Sequence, residues 1–185
     1  LPCAIDLKQP LHLWVNFFPV IDNAYDVAAL VENLNYNWSS SKIFYNFKLY
    51  DQNGILITER GGETFLNPAE KALIFESGLK TGKREPAQVV LEIQPVNNWR
   101  YAEKISPYFI VTKKQFDVSS SLLEVELRND TSVDIEDIRL FAVLFNEEGV
   151  AFAASATTID IIKAASKMEA GFTWREEFIK EPSKI

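Results

Sequence analysis

The 185-residue sequence predicts an all-β chain of two β-sandwich domains in tandem. Three observations carry that reading. Apolar residues recur at every second position through most of the chain, the pattern of a strand with one buried face. Aromatics make up 12% of the residues, with 13 Phe, and aromatic side chains favour strands over helices. A third signal is internal: the second half of the chain repeats the first at a spacing near 96 positions. That period is a domain length and exceeds the roughly 20–50 residues of a solenoid repeat.

The elements follow in order. Pro10 to Val15 is the first strand, matched by Ser106 to Val111, so that Leu13 meets Phe109 and Val15 meets Val111. Val27, Ala29 and Val31 form the inward set of a second strand, against Ala28, Leu30 and Glu32. They meet Leu123, Val125 and Leu127, whose alternates Glu124, Glu126 and Arg128 are charged and face solvent. Asn33 falls on Asn129. One residue is then dropped, and Ile43, Tyr45, Phe47 and Leu49 fall on Ile138, Leu140, Ala142 and Leu144. Asn53-Gly54 reads as a hairpin turn with a positive-φ pair, and Gly149 serves the second copy. Second hairpin arms follow at Ile55–Thr58 and Val150–Ala153, and further strands at Leu73–Glu76 and Ala170–Trp174. Gly61-Gly62 reads as a turn, and Pro68 to Ala72 as either a helical turn or a loop. Ala69 and Lys71 meet Ala165 and Lys167, and Glu85-Pro86 meets Glu181-Pro182. Val89–Ile93 closes the first copy. Six or seven short strands per copy are the pattern of an immunoglobulin/fibronectin-like sandwich, arising here from an internal duplication.

The domain plan is residues 1–97, with 1–9 as a tail, then a linker at 98–107 and a second sandwich at 108–185. The linker is polar and carries Trp99 and Tyr101, so it is stiffer than a Gly/Ser tether, with both aromatics buried between domains or on the first copy. After Glu181-Pro182 the second copy runs only to Ile185, which cuts its closing strand to a stub. A fragment of a longer protein, a short tolerated edge, or strand addition by another chain all fit that end.

Composition narrows the function. The net charge of −7 opposes binding to nucleic acid or to an anionic membrane surface. No apolar stretch reaches the ~20 residues of a membrane span. Cys3 is the single cysteine and His12 the single histidine, so neither a nucleophile–base pair nor a zinc set is visible. Asp130, Asp134, Glu136 and Asp137 are read as solvated loop acids, with weak calcium binding as the rival. Lys80 to Arg84 is read as a solvated basic loop. Asn37-Trp38-Ser39 and Asn129-Asp130-Thr131 fit the glycosylation triplet. No catalytic, cofactor-binding or metal residue is assigned, and no cofactor is expected. The candidate contacts for a ligand or partner are the aromatics Trp38, Tyr36, Trp99 and Tyr101.

Phe47-Lys48-Leu49-Tyr50-Asp51 matches the motif that names the FxLYD domain family, and Asn53-Gly54 and Thr64 to Glu70 are similar to it too. Ala142-Val143-Leu144-Phe145-Asn146 is a worn second version. The chain also resembles membrane-anchored surface proteins of candidate-phylum (Patescibacteria-type) bacteria, in which an anchor and a Cys-rich segment precede paired domains. The resemblance implies an extracellular or cell-surface β-sandwich, held to the membrane by an anchor outside this chain. It also implies that Leu1-Pro2-Cys3 ends the Cys-rich segment, with the partner of Cys3 upstream. It brings no activity. The expected role is a non-enzymatic structural or protein-interaction module whose partner is a protein or cell-surface component. The alternatives are a carbohydrate-binding module using the loop aromatics and, behind it, an enzyme with an interdomain site.

Overall fold

The computed structural model describes residues 6–21, 23–103 and 109–185, which places Cys3 outside the described residues. Among the described residues there are twelve strands and no helix. They are β1 (Leu11–Pro19), β2 (Ala24–Glu32), β3 (Trp38–Tyr50), β4 (Leu56–Leu66), β5 (Lys71–Lys80), β6 (Gln88–Ile93), β7 (Arg100–Tyr101), β8 (Phe109–Asp117), β9 (Leu122–Asn129), β10 (Ile135–Phe145), β11 (Ala151–Ile162) and β12 (Lys167–Thr173). The chain divides into two compact units, Leu1–Ile105 and Ser106–Ile185. Arg100 and Tyr101, expected in a linker, instead belong to the first unit as β7, paired with β3 at Trp38 and Ser39.

The first unit has one sheet of order β1-β2-β5 and another of order β4-β3-β6, with β7 also on β3. In the second unit β8-β9-β12 forms one sheet and β10-β11 the other. All these pairings are antiparallel. The alternating residues fill the cores. Val27, Ala29, Val31, Ile43, Tyr45, Phe47, Leu49 and Leu91 lie in the first. Leu123, Val125, Leu127, Ile138, Ala142, Ile159, Ile162 and Phe172 lie in the second. Ala28, expected to face outward, is buried as well, because β2 is the central strand of its sheet.

Each unit has its own buried asparagine pin. Asn33 directly follows β2 and Asn129 is the last residue of β9, at 1% and 0% exposure. The Asn33 amide donates to the carbonyls of Trp38 and Asn67 at 2.7 and 2.8 Å, and its oxygen accepts from Asn35 N–H. The Asn129 amide donates to the carbonyls of Val133, Ile162 and Lys163, and its oxygen accepts from Thr131 N–H and hydroxyl. Each asparagine thus ties three chain segments at one end of its sandwich, and buried polar groups persist only when bonded in this way. Asn129, the first residue of its glycosylation triplet, is thus buried, while Asp130 is exposed. Ala69 and Ala165 take the left-handed backbone at φ 50° and 49°, and each donates its N–H beside the pin, to Asn35 and Thr131. The segment from Pro68 is therefore a turn into β5.

The β3–β4 and β10–β11 hairpins also match. Gly54 and Gly149 adopt φ 73° and 74°, and each donates its N–H to the carbonyl three residues back. Asn53 is not in the left-handed region, so the expected positive-φ pair gives way to a three-residue loop with glycine at its last position. Asp51 holds this loop, accepting from the N–H groups of Asn53 and Ile55 and pairing with Arg84 at 2.5 Å. The Arg84 guanidinium, then the Ile55 N–H, keep the Asp51 carboxyl below its ordinary range. A depressed carboxyl stabilises the fold above the unfolded carboxylate range, near pH 4, and that contribution fades as pH falls through the folded value. Asp51→Asn therefore flattens the acid limb of the first unit's melting temperature against pH. An unchanged acid limb contradicts this role.

Two local assignments shift. Gly61 and Gly62 lie within β4, opposite Asn46 and Tyr45. A Cβ at Gly62 would stand 2.3 Å from the Tyr45 hydroxyl, which donates to Glu76 at 2.7 Å. The glycine makes room for a tyrosine ring crossing from the neighbouring strand. In β1 and β8 the partners of Val31 and Leu127 are His12 and Val111, so the equivalent positions are 99 apart (111 − 12) and not 96. Both strands carry their irregularity immediately after that pair.

Candidate binding surfaces

The predicted aromatics separate into different roles. Trp38 and Tyr101 meet edge to face, with centroids 6.0 Å apart at 90°. Their contact depends on β7, which sets Tyr101 directly opposite Trp38. Tyr101 is 65% exposed, contrary to the burial expected of it, because its strand is only two residues long and lies at the rim of the sheet. Tyr36, in the preceding loop, is 75% exposed. Trp99 packs against the first core and is a structural residue. The first unit thus offers an aromatic end made of the exposed Tyr36 and Tyr101 and the half-buried Trp38.

Other candidates are absorbed by structure. His12 is exposed on β1. Arg84, from the basic loop, also donates to the carbonyls of Ile55 and Leu56 and so braces the hairpin. Asp134 accepts from Lys163 at 2.9 Å and from Ala164 N–H at 2.8 Å. The Lys163 ammonium, then that N–H, lower its pKa. Asp130 pairs with Arg128. Among the described residues no three His, Cys, Asp or Glu side chains gather in a metal-holding group.

The feature that sequence reasoning outlined but did not build is an open slot in the second unit. In the first unit β6 closes the sandwich by pairing with β3, setting Val89 opposite Leu49, Leu91 opposite Phe47 and Ile93 opposite Tyr45. The second unit begins the same strand. Ala87 N–H donates to the Tyr50 carbonyl, and Ser183 N–H donates to the Phe145 carbonyl. Gln88 faces Tyr50, and Lys184 faces Phe145. Ile185 then packs on the second core, in the place that Val89 takes in the first. Phe178, wedged against Phe116, Phe152 and Trp174, anchors the segment that delivers these residues.

Beyond Ile185 the slot is unfilled among the described residues. It is a cavity of about 210 Å³, lined by the β10 edge at Leu140–Val143, the inward Leu123, Val125, Leu127 and Phe172, and Val111 and Lys114 of β8. Ala142 enlarges it, since the equivalent Phe47 fills the first core. Lys114 stands at its mouth and donates to the Ile185 carbonyl at 2.8 Å. The structurally equivalent residue in the first unit is Val15, which packs on the core. The exposed backbone edge, apolar floor and single cation suit recognition of an extended polypeptide more than acid–base chemistry.

These surfaces sit on a chain whose fold class is an all-β, sandwich-like architecture. Compared with known proteins, it matches no family model and none of the curated proteins.

Proposed function

We propose that this chain is a non-enzymatic protein-interaction module of a cell-surface protein, and that its working surface is the open edge of the second unit. The observation that carries the reading is the edge of β10 turned away from β11, from Leu140 to Val143, which lies beside an apolar cavity and carries no strand among the described residues where the first unit has β6. A sheet edge above an apolar floor offers a template on which an extended polypeptide can add a strand. The surface location rests on the resemblance of Phe47 to Asp51 to the FxLYD motif. That motif has a structural logic here: Phe47 and Leu49 fill the core, and Asp51 caps the turn.

The test is site-specific photocross-linking in the cells that make the protein. A benzophenone side chain replaces Phe141 on the slot rim, Phe44 on β3, or Tyr36 at the aromatic end. The reading expects one defined polypeptide to be captured from position 141 and not from 44. Capture from none of the three removes the interaction reading. A second reading, carbohydrate binding, is favoured by the exposed Tyr36 and Tyr101 with the half-buried Trp38, because such rings stack on sugar faces. It expects glycan-array binding that Trp38→Ala abolishes.

A further inference from the structure

We infer that the first unit carries a binding site for a neutral sugar, in the cavity where the edge of β3 passes from β6 to β7. The site rests on neither the slot of the second unit nor the aromatic end.

The cavity is a product of strand pairing. β6 leaves β3 at Ile93, opposite Tyr45, and β7 meets it again at Arg100, opposite Ser39. Between these points Gln94 to Trp99 run beside β3 without strand pairing. They leave a cavity of about 300 Å³, lined by Lys42, Ile43 and Phe44 of β3 and by residues 94–98.

Its walls are held in place. Gln94 N–H donates to the Phe44 carbonyl at 3.0 Å. The Gln9 amide accepts from the Val96 N–H at 2.8 Å and donates to the Val96 carbonyl at 3.1 Å. Asn98 accepts from the Ser40 hydroxyl at 2.8 Å and donates to the Lys42 carbonyl at 3.0 Å. Pro95 fixes its own φ between these ties. A wall fixed beforehand costs little ordering when a ligand arrives.

The lining selects the class of ligand. The side-chain amides of Gln94 and Asn97 are exposed and make no hydrogen bond among the described residues. Asn98 keeps one N–H and one lone pair beyond its two bonds. Each amide thus presents a donor beside an acceptor, and a sugar hydroxyl offers the same pair in return. Phe44, 45% exposed, supplies an apolar ring for the C–H face of a pyranose. Lys42 is the one charged residue of the described lining, and it pairs with Glu63 at 2.9 Å. The wall therefore offers no free charge to a phosphate, a carboxylate or an amine. An apolar side chain would meet three amides that it cannot bond. A cavity near 300 Å³ is at the small end of ligand sites and suits about one sugar ring.

The probes are the methyl glycosides of glucose, galactose, mannose, xylose, fucose and N-acetylglucosamine, with 9-methyladenine as a flat, amide-matching non-sugar. Each is titrated against the full chain and read by NMR at the side-chain amides of Gln94, Asn97 and Asn98 and at the Trp38 indole. At least one glycoside is expected to shift the three amide signals saturably and leave the indole unmoved. Asn97→Ala weakens that binding about tenfold, the loss of about one hydrogen bond. Phe44→Ala weakens it similarly, and Phe44→Tyr retains it. No shift of the amides by any glycoside overturns the inference, and this titration needs no variant to fold. Tighter binding of 9-methyladenine than of every glycoside also overturns it, in favour of a base. Shifts confined to the Trp38 indole overturn it while leaving sugar binding at the aromatic end standing.

Discussion

Asn129→Ala lowers the stability of the second unit by about 3 kcal/mol, because one fully buried side chain gives up five hydrogen bonds at once. The amide of Asn129 supplies three carbonyls from two loops, and its oxygen receives two donors from Thr131. Alanine leaves the Ile162 carbonyl enclosed without this donor and removes the part-buried bonds to Val133, Lys163 and Thr131, each worth about 1 kcal/mol net. In a domain of this size, 3 kcal/mol shifts the melting temperature by roughly 15 °C or more. Asn129→Asp is the sharper variant. It keeps the shape but sets a carboxylate oxygen against the carbonyls of Val133, Ile162 and Lys163 in place of the donor. It therefore costs at least as much as alanine at neutral pH. The measurement is thermal unfolding followed by NMR at the Trp174 indole, which donates to Ala154 within the second unit. A loss below about 1 kcal/mol in both variants contradicts the pin.

The contrast between what the sequence revealed and what it hid has physical causes. Alternation was legible because a strand repeats every two residues, and Phe47, Leu49, Leu127 and Leu144 all lie inside as that period requires. The identity of Asn33 and Asn129 was visible, but not their role. Their carbonyl partners include Asn67 and Ile162, more than 30 residues along the chain. Gly61-Gly62 carries the local signature of a turn, yet it is a strand interior because Tyr45 on the adjacent strand needs the space. The first-strand match of Val15 to Val111 looked sound from side-chain character, and pairing with β2 and β9 set a different register. Arg84 looked like a loop cation because its acceptors lie in a hairpin about 30 residues earlier. The aromatic end was half visible. Tyr36 and Trp38 are close in sequence, in a loop and at the start of β3, but Tyr101 meets Trp38 only through a two-residue strand too short to show a period. The match of Glu181-Pro182 to Glu85-Pro86 made legible that Lys184 starts a pairing like that of β6. That a cavity lies beside it, over a core thinned by Ala142, needed the neighbours of that residue in place.

The open edge also has a kinetic signature. Amides bonded within a closed sheet exchange only when the sheet opens, whereas an unpaired edge amide is free at almost no cost. Gln94 N–H donates to the Phe44 carbonyl and Ala87 N–H to that of Tyr50, so the backbone groups of Asn46 and Lys48 between them turn toward β6. Phe141 and Val143 are their equivalents on β10. The most direct measurement is residue-resolved hydrogen–deuterium exchange by NMR on the whole free chain, read at these four amides. The account expects Asn46 and Lys48 to exchange at least ~100-fold more slowly than Phe141 and Val143, after correction for intrinsic rates. Comparable protection of all four amides would mean that the second sandwich is already closed, and the proposed slot, its partner and the function built on them would fall together.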